Sequence, residues 1–141
     1  MAIKSALPTS FKQEILDGVH DSDDTYMMAL FTNAADLDAE TRSYGGQEGE
    51  VPNGNRNGYT KGGIVLSGRK TGIAGNAGYL TFDDPKWLNA SFTAHGALIY
   101  NASKQNRAVA VINFGQDHTC TNGTFIVTLP AAGAHAIMSV A

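Results

Sequence analysis

Residues 92–114 read Phe92-Thr-Ala-His-Gly-Ala-Leu-Ile-Tyr100, then Asn-Ala-Ser-Lys-Gln-Asn106, then Arg107-Ala-Val-Ala-Val-Ile-Asn-Phe114. Two apolar runs rich in β-branched and aromatic residues flank a polar link, which is the pattern of a β-hairpin. In the second run Ala108, Ala110, Ile112 and Phe114 alternate with Val109, Val111 and Asn113. Both sets are largely apolar, so this strand is expected to be covered on both faces, with close packing over its small side chains.

Working outward, the same signals recur at short intervals. Tyr79–Phe82 precedes the Asp84-Pro85 turn signal, and Thr124–Leu129 alternates Phe125, Val127 and Leu129 inward against Thr124 and Thr128 outward. Pro130 stops that run, and His135–Val140 reads as a last strand with the C-terminus fixed in the sheet. Upstream, Thr25–Thr32 places Tyr26, Met28 and Leu30 on one side and Met27, Ala29 and Phe31 on the other, which predicts a central strand. Ile64–Leu66 is a further short strand. Gly72 to Gly78 reads as a turn leading into Tyr79, and Asn33–Tyr44 as loop. Closely spaced strands of this kind predict an all-β fold, an antiparallel β-sandwich of jelly-roll or Ig-like type.

One helix is expected before the strands. Ser10-Phe-Lys-Gln13 has the form of a capping box, and Gly18 is placed for a left-handed C-terminal cap, giving a helix over 10–17. Phe11, Ile15 and Leu16 would form its docking face, since so short a helix needs tertiary support. Residues 1–9 form an arm, and 10–141 a single β-domain. Eleven of the sixteen glycines lie within 45–78. Within that region, Gln47–Asn57 has Val51 as its one aliphatic residue, and it reads as a long mobile loop.

Composition narrows function. The chain has 141 residues, enough to bury about two-thirds of its unfolded surface without disulfides or metals. Charged residues make up 16% and the net charge is −3, so no basic footprint for nucleic acid exists. Sparse charge also leaves a weakly polar surface suited to burial against neighbours. Cys120 is the single cysteine, no apolar run approaches a membrane-spanning length, and the N-terminus lacks the apolar core of a secretory signal.

Chemical motifs are weak. His20, His95, His118 and His135 lie singly, and the His118/Cys120 pair lacks further soft ligands, so each histidine reads as surface or structural. Asp21, Asp23 and Asp24 lack the glycine and distant glutamate of a calcium loop and read as a solvated turn. Gly63-Ile-Val-Leu-Ser-Gly68-Arg-Lys-Thr71 misses the phosphate-loop spacing by one residue, and Ile64–Leu66 reads as strand instead. No catalytic residue, cofactor or metal is expected. A glycan-binding module would need exposed aromatics, for which Tyr44, Tyr59 and Trp87 are the candidates, although Trp87 reads first as a core or interface anchor.

Trp87-Leu-Asn-Ala-Ser-Phe-Thr-Ala-His-Gly-Ala-Leu-Ile-Tyr-Asn101, Asn106-Arg-Ala-Val-Ala-Val-Ile-Asn-Phe-Gly115 and Thr121-Asn-Gly-Thr-Phe-Ile-Val-Thr-Leu-Pro130 together resemble a family of small virion structural proteins from tailed bacteriophages. Ser10–His20, Met28–Thr32 and Gly58–Gly63 match the family as well. Correspondence is least over 45–57 and 68–78. The resemblance implies a virion location, other virion proteins as partners, and no enzymatic activity. Its first implication is a capsid decoration or cement protein forming homo-oligomers; the alternative is a small tail, connector or fibre-attachment protein. The arm 1–9 and the glycine-rich loop 45–57 would clasp neighbours, and the expected interface residues are Ile3, Leu7, Phe11, Tyr44, Val51, Tyr59 and Trp87.

Overall fold

A computed structural model describes residues 2–52, 54, 57–75, 77–129 and 138–140. The elements run α1 (Thr9–Leu16), β1 (Tyr26–Phe31), β2 (Ile64–Val65), β3 (Lys70–Ala74), β4 (Ala77–Thr81), β5 (Lys86–Asn101), β6 (Arg107–Ile126) and β7 (Met138–Val140). The strands form a four-stranded sheet in the order β2-β1-β5-β6 and a three-stranded sheet in the order β3-β4-β7. Every pairing between these strands is antiparallel. The fold is therefore all-β with one short helix.

The hairpin expected at residues 92–114 is present but much longer than its apolar runs. Lys86 pairs with Ile126 at one end and Asn101 with Arg107 at the other. The runs Arg107–Phe114 and Thr124–Leu129, expected as separate strands, are joined through the polar residues 115–123 into a single 20-residue β6. Cross-strand pairing to β5 carries this polar stretch, whose own sequence has little strand propensity. Val127–Leu129 lies beyond the strand, yet Phe125, Val127 and Leu129 are buried as their alternation predicts.

Bulges break the hairpin's register. Between the pairs Ala94↔His118 and Gly96↔Asn113, His95 alone faces the four residues Phe114–Asp117, with Gly115 at φ 85°. A second irregularity lies between Ile99↔Ala110 and Tyr100↔Ala108. It sends Val109 and Ala110 to the same core cluster and leaves Ala108 with Val111 in the other. The expected face Ala108, Ala110, Ile112, Phe114 is thus split by one extra residue, because the side-chain period of two resets at a bulge.

β1 behaves as expected of a central strand. It pairs with β2 on one side and with β5 on the other. Tyr26, Met28 and Leu30 enter a cluster with Phe82, Trp87, Phe92, Ile99 and Phe125. Ala29 and Phe31 enter the opposite cluster with Ile3, Leu37, Leu98 and Val111. Met28, Leu30 and Phe31 are fully buried, each contributing about 1.5–3 kcal/mol of apolar transfer.

Three expectations about the helix are corrected. The helix begins at Thr9 with Pro8 in the N-cap position, and no side chain caps it. Ser10 Oγ lies buried inside the first turn with no partner among the described residues, so there is no capping box. The docking face is Phe11 with Glu14, while Ile15 and Leu16 are 43% and 88% exposed. Glu14 is tolerated inside because His20 and Arg107 lie against it. Gly18 does close the helix at φ 69°.

The arm is seated in place. Ala6 exchanges backbone hydrogen bonds with Val111 at the edge of β6, Lys4 N donates to Leu37 O, and Ile3 presses on the bare backbone of Gly96. Within the expected mobile loop, Gln47–Pro52 is tied to the sheet: Thr32 N donates to Gly49 O, Val51 N donates to Leu30 O, and Val51 is buried. Residues 53, 55 and 56 of that loop lie outside the described residues, as do 135–137 of the expected last strand, whose remainder forms β7. Gly72–Gly78, expected as a turn, instead contributes to β3 and β4, with Gly75 at φ 58° between them.

Candidate functional site

Two polar clusters gather residues far apart in sequence. The first staples α1 and the link after it to the β5–β6 turn. His20 Nε2 lies 2.8 Å from Glu14 Oε1, and Arg107 Nη1 donates to Glu14 Oε2 at 3.1 Å. Asn101 Nδ2 lies 2.9 Å from His20 Nδ1 and donates to Asp24 Oδ2 at 2.7 Å. Lys104 Nζ bridges Asp24 and Asp21 at 2.8 and 3.0 Å.

The amide of Asn101 is oriented by its neighbours, since its Oδ1 accepts from Ser103 N. Its NH2 group therefore faces His20, so Nδ1 accepts and Nε2–H donates to Glu14. Both ring nitrogens are engaged within the protein. The triad-like row Glu14–His20–Asn101 thus presents no free nitrogen for proton transfer to a substrate. At Asp24, burial pushes the carboxyl up, but hydrogen bonds from Lys104, Asn101 and Asp21 N outweigh it and hold the pKa at about 2. The expected solvated turn holds for Asp21 and Asp23, which are exposed, but not for Asp24, whose side chain is 9% exposed and ion-paired with Lys104.

The second cluster centres on Glu50. Its Oε1 accepts from the Tyr44 hydroxyl at 2.6 Å; its Oε2 accepts from the Tyr59 hydroxyl at 2.6 Å and from Gly62 N at 2.8 Å. Tyr44 stacks on Tyr100 with ring centroids 4.4 Å apart, and Tyr100 donates to Gly62 O. Burial, and then the adjacent carboxylate, raise all three phenols above their ordinary range, Tyr100 to about 12. This carboxylate is also used up, holding the glycine-rich loop to the sheet.

What remains open is surface. β6 ends its sheet, and its inner half is covered by Ala6 at Val111 and by Ser43 at Arg107. Among the described residues no strand pairs with the outer edge of residues 115–126. Along this outer half, neutral or self-paired groups join β5 to β6: Ser91 with Asn122, Thr93 with Thr119 at 2.8 Å, and His95 with Asp117 at 2.7 Å. Leu88 and Ile126 stand 65% and 48% exposed on the same stretch. A groove of about 470 Å3 lined by Ile112, Phe114, His118, Cys120, Phe125 and Val127 runs beside it.

A second cleft, of about 330 Å3, opens between α1 and the β3–β4 hairpin. Leu7, Phe11, Ile15, Tyr26 and Leu80 form its apolar wall, and Arg69 lies at its polar side. Arg69 is exposed and hydrogen-bonds to Tyr26; burial raises the phenol of Tyr26 despite that bond.

The seven residues singled out in the sequence do not form one patch. Ile3, Phe11, Val51, Tyr59 and Trp87 are between 1% and 5% exposed, within the chain's own core. Leu7 lines the cleft beside α1, and Tyr44 is half-buried on Glu50. Tyr59 and Trp87 therefore cannot serve as the exposed stacking platforms that a glycan site needs. Trp87 Nε1 is buried without a partner among the described residues. No group of three or more potential metal ligands occurs among the described residues. Glu14, Asn101, Lys104 and Arg107 carried no local signal in the sequence, since their partners lie as many as 93 residues away. Comparison with protein-family models, with curated proteins and with solved structures finds no match to this chain.

Proposed function

We propose that this chain is a non-enzymatic structural protein of a tailed-bacteriophage particle, a capsid decoration or cement protein that binds by surface contact and assembles as a homo-oligomer. The observation that carries it is the outer half of the β5–β6 hairpin. It is exposed, nearly free of unpaired charge, and bears two apolar side chains beside a groove. Such a surface loses little desolvation energy when a neighbour covers it. The bulges along β6 disfavour endless edge-to-edge growth, which a subunit of defined stoichiometry needs to avoid.

The family resemblance supplies the particle, and the two internally satisfied carboxylate clusters favour scaffold over catalyst. We also take the two sheets as layers of an antiparallel sandwich of jelly-roll or Ig-like type. Support comes from Leu80 of β4, which packs against the cluster formed by β1 and β5.

The test is to localise the protein in purified particles by antibody labelling and electron microscopy. Label over the head is the expected result. Label at the tail or connector would replace decoration with the tail-associated alternative, and particles free of the protein would overturn a structural role.

A further inference from the structure

Leu16 and Arg69 are both exposed, and Arg69 meets the subunit's own core only through its hydrogen bond to Tyr26. Leu16 is 88% exposed at the last position of α1, the most exposed of the large apolar side chains among the described residues. Its neighbour Asp17 is exposed and makes no ion pair among the described residues. One residue before it, Ile15 forms part of the wall of the 330 Å3 cleft. Across that cleft, Arg69 also makes no ion pair among the described residues. One small area therefore carries an apolar knob beside an acid, and an apolar cleft beside a cation.

We propose that this area is a two-fold interface between two copies of the chain. Leu16 of each copy enters the cleft of the other, against Leu7, Phe11 and Ile15, and Asp17 pairs with Arg69 across the interface. Two features select a second copy over an unrelated partner. Knob and cleft are adjacent on one surface, as a self-complementary two-fold contact requires. Their charges are opposite and equal in number, so pairing leaves neither isolated when water is excluded. Its residues are distinct from those of the groove along the outer half of the β5–β6 hairpin, leaving that face free for the particle. The inference takes the multi-copy assembly proposed above as its premise.

The experiment is sedimentation equilibrium of the full chain, with melting curves confirming that each variant folds. The wild-type chain is expected to be a dimer. Leu16→Ser, at an exposed helix end, weakens it at least about a hundredfold, because two apolar insertions are lost per dimer. Asp17→Arg and Arg69→Asp each weaken it about tenfold, and the double variant D17R/R69D restores it. A monomeric wild-type chain, an oligomer indifferent to all three single changes, or failure of the double variant to recover would each overturn the proposal. A monomer that is still found in particles would overturn this interface alone and leave the virion role standing.

Discussion

Tyr59→Phe removes one oxygen atom and tests how the glycine-rich region is held. The Tyr59 hydroxyl donates to Glu50 at 2.6 Å and accepts from Leu30 N at 3.1 Å, with the residue 2% exposed. β2 pairs with β1 only at Met27 and Met28, and beyond it Val51 N meets Leu30 O while the phenol alone meets Leu30 N. Losing a bond to a charged acceptor costs about 1.5–3 kcal/mol, and stranding the buried Leu30 amide costs about 1–3 more. Allowing for local relaxation, a loss of about 3 kcal/mol is expected, a large part of the 5–15 kcal/mol or so typical of a domain. For a chain of this length it lowers Tm by about 10 °C. Tyr44→Phe is the control: it loses one bond at a half-buried site and should cost about 1 kcal/mol. Urea unfolding with unchanged m-value measures both. A Tyr59→Phe loss below about 1 kcal/mol, or equal losses in the two variants, would refute the role assigned to the phenol.

Two further outcomes follow from close contacts and from charge. Gly63 has φ 91°, and a Cβ there would sit 2.5 Å from Met28 C and 2.7 Å from Ala29 Cα, closer still to Met28 O. Gly63→Ala should therefore cost more than about 3 kcal/mol or abolish folding, as read by circular dichroism and soluble yield, whereas Gly75→Ala, with open space around it, should cost far less. Asp24 has its pKa lowered from 3.8 to about 2 in the folded chain, so its contribution is present above pH 3.8 and is lost as pH falls toward 2. Lys104→Met removes one of the bonds holding that carboxyl down, and the acid-unfolding midpoint should move to higher pH; an unchanged midpoint would show the pair to be idle.

The all-β class, the central position of β1, the hairpin at 101–106 and the left-handed close of α1 at Gly18 were legible in the sequence. Each rests on local chemistry: period-two apolar patterning, turn residues, and a glycine where φ is positive. The two faces of Thr25–Thr32 were assigned correctly because a strand covered on both sides leaves its alternation intact. Local chemistry also misled. Ser10-Phe-Lys-Gln13 has the spacing of a capping box, yet the helix starts one residue earlier, with Pro8 at its N-cap, and the Ser10 hydroxyl is buried without a partner among the described residues. With Val51 as its one aliphatic residue, 47–57 suggested slack, while a single carboxylate, Glu50, gathers two tyrosines and an amide to fasten the described part of it.

Sequence by itself determined which segments alternate and hence that strands would bury two faces, since that pattern is carried by neighbours along the chain. Only the tertiary structure decided that residues 115–123 extend β6, because their strand conformation comes from pairing with β5 and not from their own propensity. It alone decided that Glu14 turns inward while Leu16 is left in water. Arg107 and His20 meet Glu14 from distant parts of the chain, and a buried carboxylate is stable only where such partners converge.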